Sequence, residues 1–431
     1  MLELWFDFSC PYAYLASQKA PGIARGAGME LVWKPMLLGG VFRGIGAGDG
    51  PMATLGPAKA AHNLRDMQRW AAIFGVPFQM PATHPMRTVR ALRVLLALPH
   101  ASWPLAIPAI YTAYWARAED ITRDDVLAAA LAGVVSEPEL AAAFAGADTA
   151  AIKHELALRT DEAIAFGIFG APGCVVPRDH QAPLLIWGQD RIPWVEAALA
   201  GWDLESTPPG GPRPFGRDVT PFESPHTLEV YFDVASPYAY YALTQLESLA
   251  RVTGTKPILR PILVGGLFRD IGQVDVPLFA FSAAKQRYVA AEIRRWHAWL
   301  GVPFEVPRKF PQRSISAQRL LHVAAPEERL RLGLAIARAM WAEQRDIEDL
   351  TTLRAILEHI GLPATYLDRI SDPSIKTALI AEGTVAKERG VFGVPTFIVN
   401  QAGVHGAEVH HLVWGVDRLD LVTRFAAGWQ A

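Results

Sequence analysis

The sequence has little cysteine, little net charge and no long uninterrupted apolar segment, and each scarcity excludes a class of protein. Two cysteines among 431 residues, Cys10 and Cys174, are too few for a disulfide-stabilised secreted scaffold and favour a reducing compartment. A net charge of -2 gives no reason to expect nucleic acid as a partner. The first residues lack the pattern of a signal peptide, and the apolar stretch 101–115 is interrupted by two prolines and too short to span a bilayer. We therefore expect a cytoplasmic protein with a small-molecule partner, no nucleic acid and no membrane.

Signatures of phosphate and metal binding are also scarce. The sequence contains neither a Walker-type phosphate loop nor a dinucleotide glycine fingerprint. The adjacent His410 and His411 suggest a metal, but neighbouring residues on a strand point to opposite faces, and no matching acid or thiol cluster accompanies them. We expect no metal site.

The same pattern occurs twice along the chain. "FDFSCPYAY" at 6–14 returns within "YFDVASPYAY" at 231–240, with Ser236 where Cys10 stood. At an offset of 226 residues the chain also repeats "GGVFR" (39–43) as "GGLFR" (265–269), "GVPF" (75–78) as "GVPF" (301–304), and Trp115 as Trp341. After small gaps, "GIFGAP" (167–172) matches "GVFGVP" (390–395), and "WGQDR" (187–191) matches "WGVDR" (414–418). We predict two complete copies of one domain, 1–202 and 226–431, joined by a Pro/Gly-rich linker at 203–225.

Each copy has the sequence pattern of a small sheet interrupted by helices. Residues 2–7 and 30–34 are typical of buried strands, and residues 57–165 are rich in alanine and leucine at helical spacing. Two short β-like runs, "CVVP" and "LLIW" in the first copy, then follow. We predict an α/β fold with a large helical insertion.

Four of these stretches resemble a known family. The motifs "FDVASPYAYYA", "PAKAAHNLRDMQRW", "GVFGVPTFIV" and "VWGVDRLDLV" are similar to those of DsbA-like thioredoxin-fold proteins, and most similar to the kappa-class glutathione transferases and 2-hydroxychromene-2-carboxylate isomerases. The resemblance covers both halves. It implies two thioredoxin-like domains, each with a large all-helical insertion. The duplication and the length of the linker suggest that the two domains face each other as an intramolecular pseudo-dimer.

The resemblance also implies glutathione as cofactor and a set of residues that bind it. A hydroxyl beside the glutathione sulfur is matched by Ser236, with Cys10 in its place in the first copy. The loop that pairs with the tripeptide backbone is matched by Ala171 and Pro172 and by Val394 and Pro395. The remaining matches are an acid at the start of the last helix, Asp190 and Asp417, and a lysine near the pocket, Lys59 and Lys285.

The chemistry of the helix start supports an anion there. A helix N-terminus presents unpaired N–H groups and the positive end of the dipole. A hydrogen bond from the Ser236 hydroxyl to a thiolate is worth roughly 1.5 to 3 kcal/mol, which lowers a thiol pKa by about one or two units. Cys10 could itself be a low-pKa nucleophile or form a mixed disulfide with glutathione. Ala13 stands where a resolving cysteine would be, so only a monothiol role is open to Cys10.

Three functions fit these observations. The first is an enzyme, a glutathione-dependent isomerase or transferase that adds a thiolate to an electrophilic or aromatic small molecule. The second is a monothiol–disulfide oxidoreductase that uses Cys10. The third is a noncatalytic binding protein. The lysines and aspartates also have purely structural readings, since an acid in the first turn of a helix stabilises it without any ligand, and Cys174 in an apolar strand is expected in the core.

Overall fold

The chain is described here from a computed structural model, which covers residues 1–48, 50–274, 276–402 and 408–430. Its strands form two four-stranded sheets, ordered β2-β1-β3-β4 and β6-β5-β7-β8. The strands are β1 (Leu2–Phe6), β2 (Leu31–Pro35), β3 (Gly173–Arg178), β4 (Gln181–Trp187), β5 (Thr227–Phe232), β6 (Ile258–Pro261), β7 (Thr396–Ala402) and β8 (Glu408–Trp414). The strands predicted from the sequence pattern are therefore present, in both copies.

The helices repeat in the same order in the two copies. The first copy contains α1 (Pro11–Gly26), α2 (Leu38–Gly44), α3 (Pro57–Phe74), α4 (Val89–Ala97), α5 (Trp103–Tyr111), α6 (Asp124–Leu131), α7 (Glu137–Gly146), α8 (Ala150–Phe166) and α9 (Ile192–Leu199). The second contains α10 (Pro237–Thr253), α11 (Val264–Asp270), α12 (Ala283–Leu300), α13 (Ile315–Val323), α14 (Arg329–Trp341), α15 (Leu350–His359), α16 (Tyr366–Arg369), α17 (Pro373–Glu388) and α18 (Leu419–Ala426). Helices α3–α8 and α12–α17 are the two helical insertions.

Each sheet combines one parallel pair with two antiparallel pairs. In the first copy β1 is parallel to β2 and antiparallel to β3, which is antiparallel to β4. The second copy repeats this arrangement. The central strands β1 and β5 are buried almost throughout, which is why apolar residues face both sides of the sheet, although each strand also contains one glutamate, Glu3 or Glu229. Two thioredoxin-like α/β domains with helical insertions, as the motifs imply, are confirmed.

A tryptophan fastens each insertion to the loop that follows the central strand. The Trp115 indole N–H donates to the carbonyl of Phe8 at 2.8 Å, and Trp341 donates to Val234 at 2.9 Å. Both indoles are buried. The helical insertion therefore fixes the backbone immediately before the N-termini of α1 and α10.

The connection between the copies has no helix or strand from 200 to 226 but packs closely on the second copy. The backbone N–H of Arg213 donates to Trp299, that of Phe215 donates to the Gln245 side chain, and that of Phe222 donates to Val252. Phe215 is buried in the core. The predicted linker is thus folded against one of the domains that it joins.

No single helix in the described ranges has the length and apolarity to cross a membrane. The segments Val89–Ala97 and His100–Ala116 are long and apolar enough only when they are counted as one, and the chain bends by 115° at the break between them.

Candidate functional site

Cys10 and Ser236 occupy equivalent positions at the starts of α1 and α10. Each is the N-cap residue in an extended conformation, and a proline follows it at the first helical position. Buried Asp7 and Asp233 hold the preceding loops, since their carboxylates accept backbone N–H bonds from Leu38 and Val264. The Cys10 and Ser236 side chains are therefore held by the same local structure in the two copies.

The Cys10 thiol is not the activated nucleophile that the helix start suggests. It is 7% exposed, and its S–H donates to the carbonyl of Ala171 at 3.1 Å. Its pKa is raised to about 12, mainly by burial and to a smaller extent by the Asp7 charge, and hydrogen bonds from the backbone of Ala13 and Tyr12 offset only part of this rise. The prediction of a low pKa is wrong because desolvation outweighs the helix N-terminus. Cys174 is also free and buried, with its pKa raised to about 12 by burial.

The Ser236 hydroxyl is placed differently. Its side chain is partly exposed, and its oxygen accepts a hydrogen bond from the backbone N–H of Ala239 at 3.3 Å. Within the described ranges no acceptor takes the hydroxyl proton. Ser236 thus has a donor to offer to a ligand, whereas the Cys10 donor is already occupied by Ala171.

A proline loop leads into β3 in the first copy and into β7 in the second. The Ala171–Pro172 and Val394–Pro395 peptide bonds are both cis, and the Cys10–Ala171 contact shows directly that helix start and loop meet in the first copy. Beside the loops, the indole nitrogens of Trp187 and Trp414 pack on Gly170 and Gly393. A Cβ at either glycine would lie within 2.9 Å of the indole nitrogen, so no larger residue fits there without a shift.

Asp190 and Asp417 lie between the copies, in a buried ion-pair network with approximate two-fold symmetry. Arg191 binds Glu292 at 2.8 Å and Asp417 at 2.8 Å. Arg418 binds Asp66 at 3.1 Å and Asp190 at 2.7 Å. Four carboxylates and two guanidinium groups therefore meet. Each arginine binds two acids of the opposite copy.

The two arginines of the network lower the pKa of Asp417. Burial alone would raise the pKa of Asp417, but the charges of Arg418 and Arg191 hold it below its usual value. In both aspartates Oδ2 takes the arginine bonds, whereas Oδ1 has no hydrogen-bond donor among the described residues. One oxygen of each carboxylate is therefore available for a ligand. The predicted contact with the γ-glutamyl end stays a prediction.

Lys59 and Lys285 each reach into the other copy. The Lys59 ammonium lies 5.1 Å from the centre of the Trp414 ring, and that of Lys285 lies 5.6 Å from the centre of the Trp187 ring. Neither ammonium has an ion-pair or hydrogen-bond partner in the described part of the chain. Burial lowers both pKa values, that of Lys285 to about 8 with a further contribution from the Lys59 charge. The described partners of both ammonium groups are aromatic rings, which for Lys285 include Phe281 of its own copy at 4.1 Å. Two cations without a carboxylate partner in these ranges favour an anionic ligand.

Further contacts join the copies along α3 and α12. Arg69 donates to the carbonyl of Leu412 at 2.8 Å, and its equivalent Arg295 donates to Leu185 at 3.1 Å. His62 packs on Phe392 and Trp414, whereas its equivalent Tyr288 packs on Phe169 and Trp187. The same face of each helix thus covers the outer strand and proline loop of the opposite copy.

An open cleft of about 1040 Å³ also lies between the copies. Its lining includes Asp190, Asp417, Trp194 and Trp296, together with part of the linker. Cys10, Ser236, the cis prolines and the two lysines do not line it. The cleft therefore reaches the ion-pair network from the side away from the helix starts.

The two histidines that suggested a metal are engaged elsewhere. His410 Nδ1 lies 2.7 Å from Asn400 Oδ1, and His411 Nε2 lies 3.1 Å from Gln401 Oε1. In the ranges that the structure describes, no group of three or more His, Cys, Asp or Glu side chains is arranged to hold a metal ion.

Several residues of the site escaped the sequence analysis. Arg191 and Arg418 stand in the repeated "WGQDR" and "WGVDR" motifs, directly after the predicted aspartates. Asp66 and Glu292 also correspond at the offset of 226 residues. A search for charged residues matched between the copies would have found all four, although not their pairing across the interface.

Comparisons with known proteins agree with this architecture. A family model described as a DSBA-like thioredoxin domain matches residues 1–200 and again 227–425. The human glutathione S-transferase kappa 1 is 27% identical over 210 residues, which cover 46% of this chain and 89% of that protein. The 2-hydroxychromene-2-carboxylate isomerase of Sphingobium xenophagum is 28% identical over 206 residues, covering 46% and 97%. A solved structure of a 2-hydroxychromene-2-carboxylate isomerase matches at 22% identity with a TM-score of 0.40, covering 48% of this chain and all of that one.

Proposed function

Given that the chain belongs to the DsbA-like thioredoxin family, as a tandem pair, we propose that it is a glutathione-dependent isomerase or transferase whose working site is in the second copy. The observation that carries the proposal is the contrast at the helix starts. The Ser236 side chain is partly exposed, and its hydroxyl donates no hydrogen bond within the described ranges. The Cys10 thiol, in contrast, is buried and protonated, and it donates a hydrogen bond to the carbonyl of Ala171. Only the second copy can stabilise the sulfur of an incoming thiol.

The proposed glutathione site draws on both copies. Ser236 faces the sulfur, and the backbone of Val394 beside Pro395 pairs with the tripeptide. Lys59, supplied by the first copy, attracts a carboxylate, and Asp417 offers its remaining oxygen to the γ-glutamyl ammonium. The equivalent cradle in the first copy consists of Ala171, Pro172, Asp190 and Lys285. Because each lysine belongs to the opposite copy, we propose that the fused chain works as an intramolecular pseudo-dimer.

The proposed reaction needs one nucleophile. The glutathione thiolate adds to a conjugated carbon of an electrophilic or aromatic substrate, a C–S bond forms, and the displaced electron pair moves to the conjugated carbonyl oxygen. The former double bond then rotates. Return of the electron pair breaks the C–S bond and releases the thiolate, which completes an isomerisation, whereas protonation of the adduct completes a transfer. Because the reaction needs a reduced thiol, we place it in the cytoplasm.

The test is calorimetric titration of glutathione into wild type, Ser236→Ala and Cys10→Ala. The pKa of bound glutathione is followed in parallel by the ultraviolet absorbance of its thiolate. We expect Ser236→Ala to raise that pKa by about one or two units, the loss of a charge-assisted hydrogen bond. Turnover of an electrophilic aromatic substrate at neutral pH should fall by roughly 10- to 100-fold, in line with the smaller thiolate fraction.

Cys10→Ala is the matched comparison, because it alters the equivalent position of the other copy. Activity lost in Cys10→Ala and kept in Ser236→Ala would support a monothiol oxidoreductase instead. Glutathione binding that survives in all three proteins without turnover would support a noncatalytic binding protein. An absence of binding to wild type at millimolar glutathione would overturn the glutathione-dependent function altogether.

A further inference from the structure

His62 is a buried polar residue that the first copy places in the second copy's site. It lies on α3, is 4% exposed, and its ring meets the Phe392 ring edge-on with centroids 5.2 Å apart. Its Nδ1 atom is buried and has no hydrogen-bond partner among the described residues. An unpaired buried polar atom in a native protein calls for an explanation, and one explanation is a partner that arrives with a ligand.

The equivalent residue of the second copy shows how such an atom is normally satisfied. Tyr288 packs on Phe169 with ring centroids 5.1 Å apart, much as His62 packs on Phe392. Its hydroxyl, however, accepts a hydrogen bond from the backbone N–H of Trp187 at 2.8 Å. The two aromatic packings are therefore alike, and the polar atom is paired on one side of the interface only.

The surroundings of His62 indicate what kind of atom would pair with it. Lys59 lies one turn earlier on α3, over the Trp414 ring, and Asp66 lies one turn later, bound to Arg418. Phe392 is three residues ahead of Pro395 in the same loop. His62 thus stands between the Lys59 ammonium and the ion-pair network, against the loop that contains Pro395.

Building on the proposed function, we propose that His62 is a binding residue of the second copy's site, which hydrogen-bonds through Nδ1 to the peptide backbone or carboxylate of bound glutathione. Its ring is neutral, since burial lowers its pKa to about 4 against the opposing effect of Asp66. A neutral imidazole carries one N–H and one acceptor nitrogen. The ring can therefore present a donor at Nδ1 to a carbonyl or carboxylate oxygen.

The experiment measures binding of S-methylglutathione, which has no free thiol and so removes the contribution of Ser236 to thiolate stabilisation. Wild type, His62→Asn and His62→Leu are titrated by calorimetry. The Asn amide places a polar group near the position of Nδ1, whereas Leu keeps a similar volume without one. We expect His62→Leu to weaken binding by about tenfold, the usual effect of one lost hydrogen bond, and His62→Asn to keep most of the affinity.

Two further measurements separate a ligand contact from a structural effect. In protein labelled with ¹⁵N-histidine, the ring nitrogen signals of His62, assigned from their loss in His62→Asn, should shift when S-methylglutathione is added. Tyr288→Leu is the matched control, because it removes the equivalent side chain from the opposite side of the interface, and affinity at the second copy should not change.

The outcomes distinguish a failure of the proposed role of His62 from a failure of the proposed glutathione-dependent function. Equal affinities for wild type and His62→Leu, with an unmoved His62 signal, would overturn the inference alone and leave the Ser236 chemistry intact. Wild type that binds neither glutathione nor S-methylglutathione would overturn the function and the inference together.

Discussion

Replacement of Arg191 by methionine should strongly destabilise the contact between the copies. The guanidinium group is 9% exposed and binds Glu292, itself 8% exposed, and Asp417 on the other copy. Arg191→Met leaves the Glu292 carboxylate buried without the only arginine that binds it among the described residues, because Arg418 binds Asp66, Asp190 and Asp417 instead. Loss of one partner from a buried ion pair costs about 3 to 5 kcal/mol. Since a domain of this size loses about 2 to 4 °C in Tm per kcal/mol, the melting temperature should fall by roughly 6 to 20 °C.

Scanning calorimetry of wild type and variants provides the measurement. Arg338→Met is the control, because Arg338 pairs with Glu343 at the surface and an exposed pair contributes less than about 1 kcal/mol. The double variant Arg191→Met/Glu292→Leu should recover much of the lost stability, since it removes both members of the buried pair. A Tm of Arg191→Met within about 2 °C of the control, where 2 °C corresponds to under about 1 kcal/mol, would refute the argument that this network holds the copies together.

Two other predictions follow from the ionisation of buried groups. The pKa values of Cys10 and Cys174 are raised to about 12, mainly by burial. Because so little thiolate is present at pH 8, both thiols should react with iodoacetamide roughly 1000-fold more slowly in the native protein than in the unfolded protein. Rapid labelling of Cys10 in the native protein, detected by mass spectrometry, would contradict the structure. The pKa of Asp417 is lowered in the folded state, so its contribution to stability is present above its usual pKa of 3.8 and is lost as the pH falls through the lowered value. Calorimetry from pH 7 to 3 should therefore show a steeper loss of Tm in wild type than in Asp417→Asn, and parallel curves would show that Asp417 contributes nothing.

The secondary structure was predictable because local pattern and tertiary environment agree. The strand Leu2–Phe6 is mostly apolar because it is buried at the centre of its sheet. The proline after Cys10 and Ser236 marks the start of a helix in both copies. The repeat itself supplied the division into two domains with like folds. None of these inferences required knowledge of where distant segments meet.

The site was less predictable because its properties depend on packing. The helix start at Cys10 favours a thiolate, yet the contact with Ala171 and the surrounding core reverse the expectation for its pKa. Similarly, the resemblance to glutathione-binding proteins points to Asp190 and Asp417 through the repeated "WGQDR" and "WGVDR" motifs. That each is neutralised by an arginine of the opposite copy follows only from the relative orientation of the domains, which no local pattern encodes.

The covalent joining of two copies has a consequence for how the protein can diversify. In a dimer of identical chains, one mutation changes both sites at once, and a residue that serves one site must also be tolerated in the other. Here the equivalent positions differ between the copies, with Cys10 matched by Ser236 and His62 matched by Tyr288. Each copy can therefore change the side chains that it contributes to the interface without the same change appearing in the other copy.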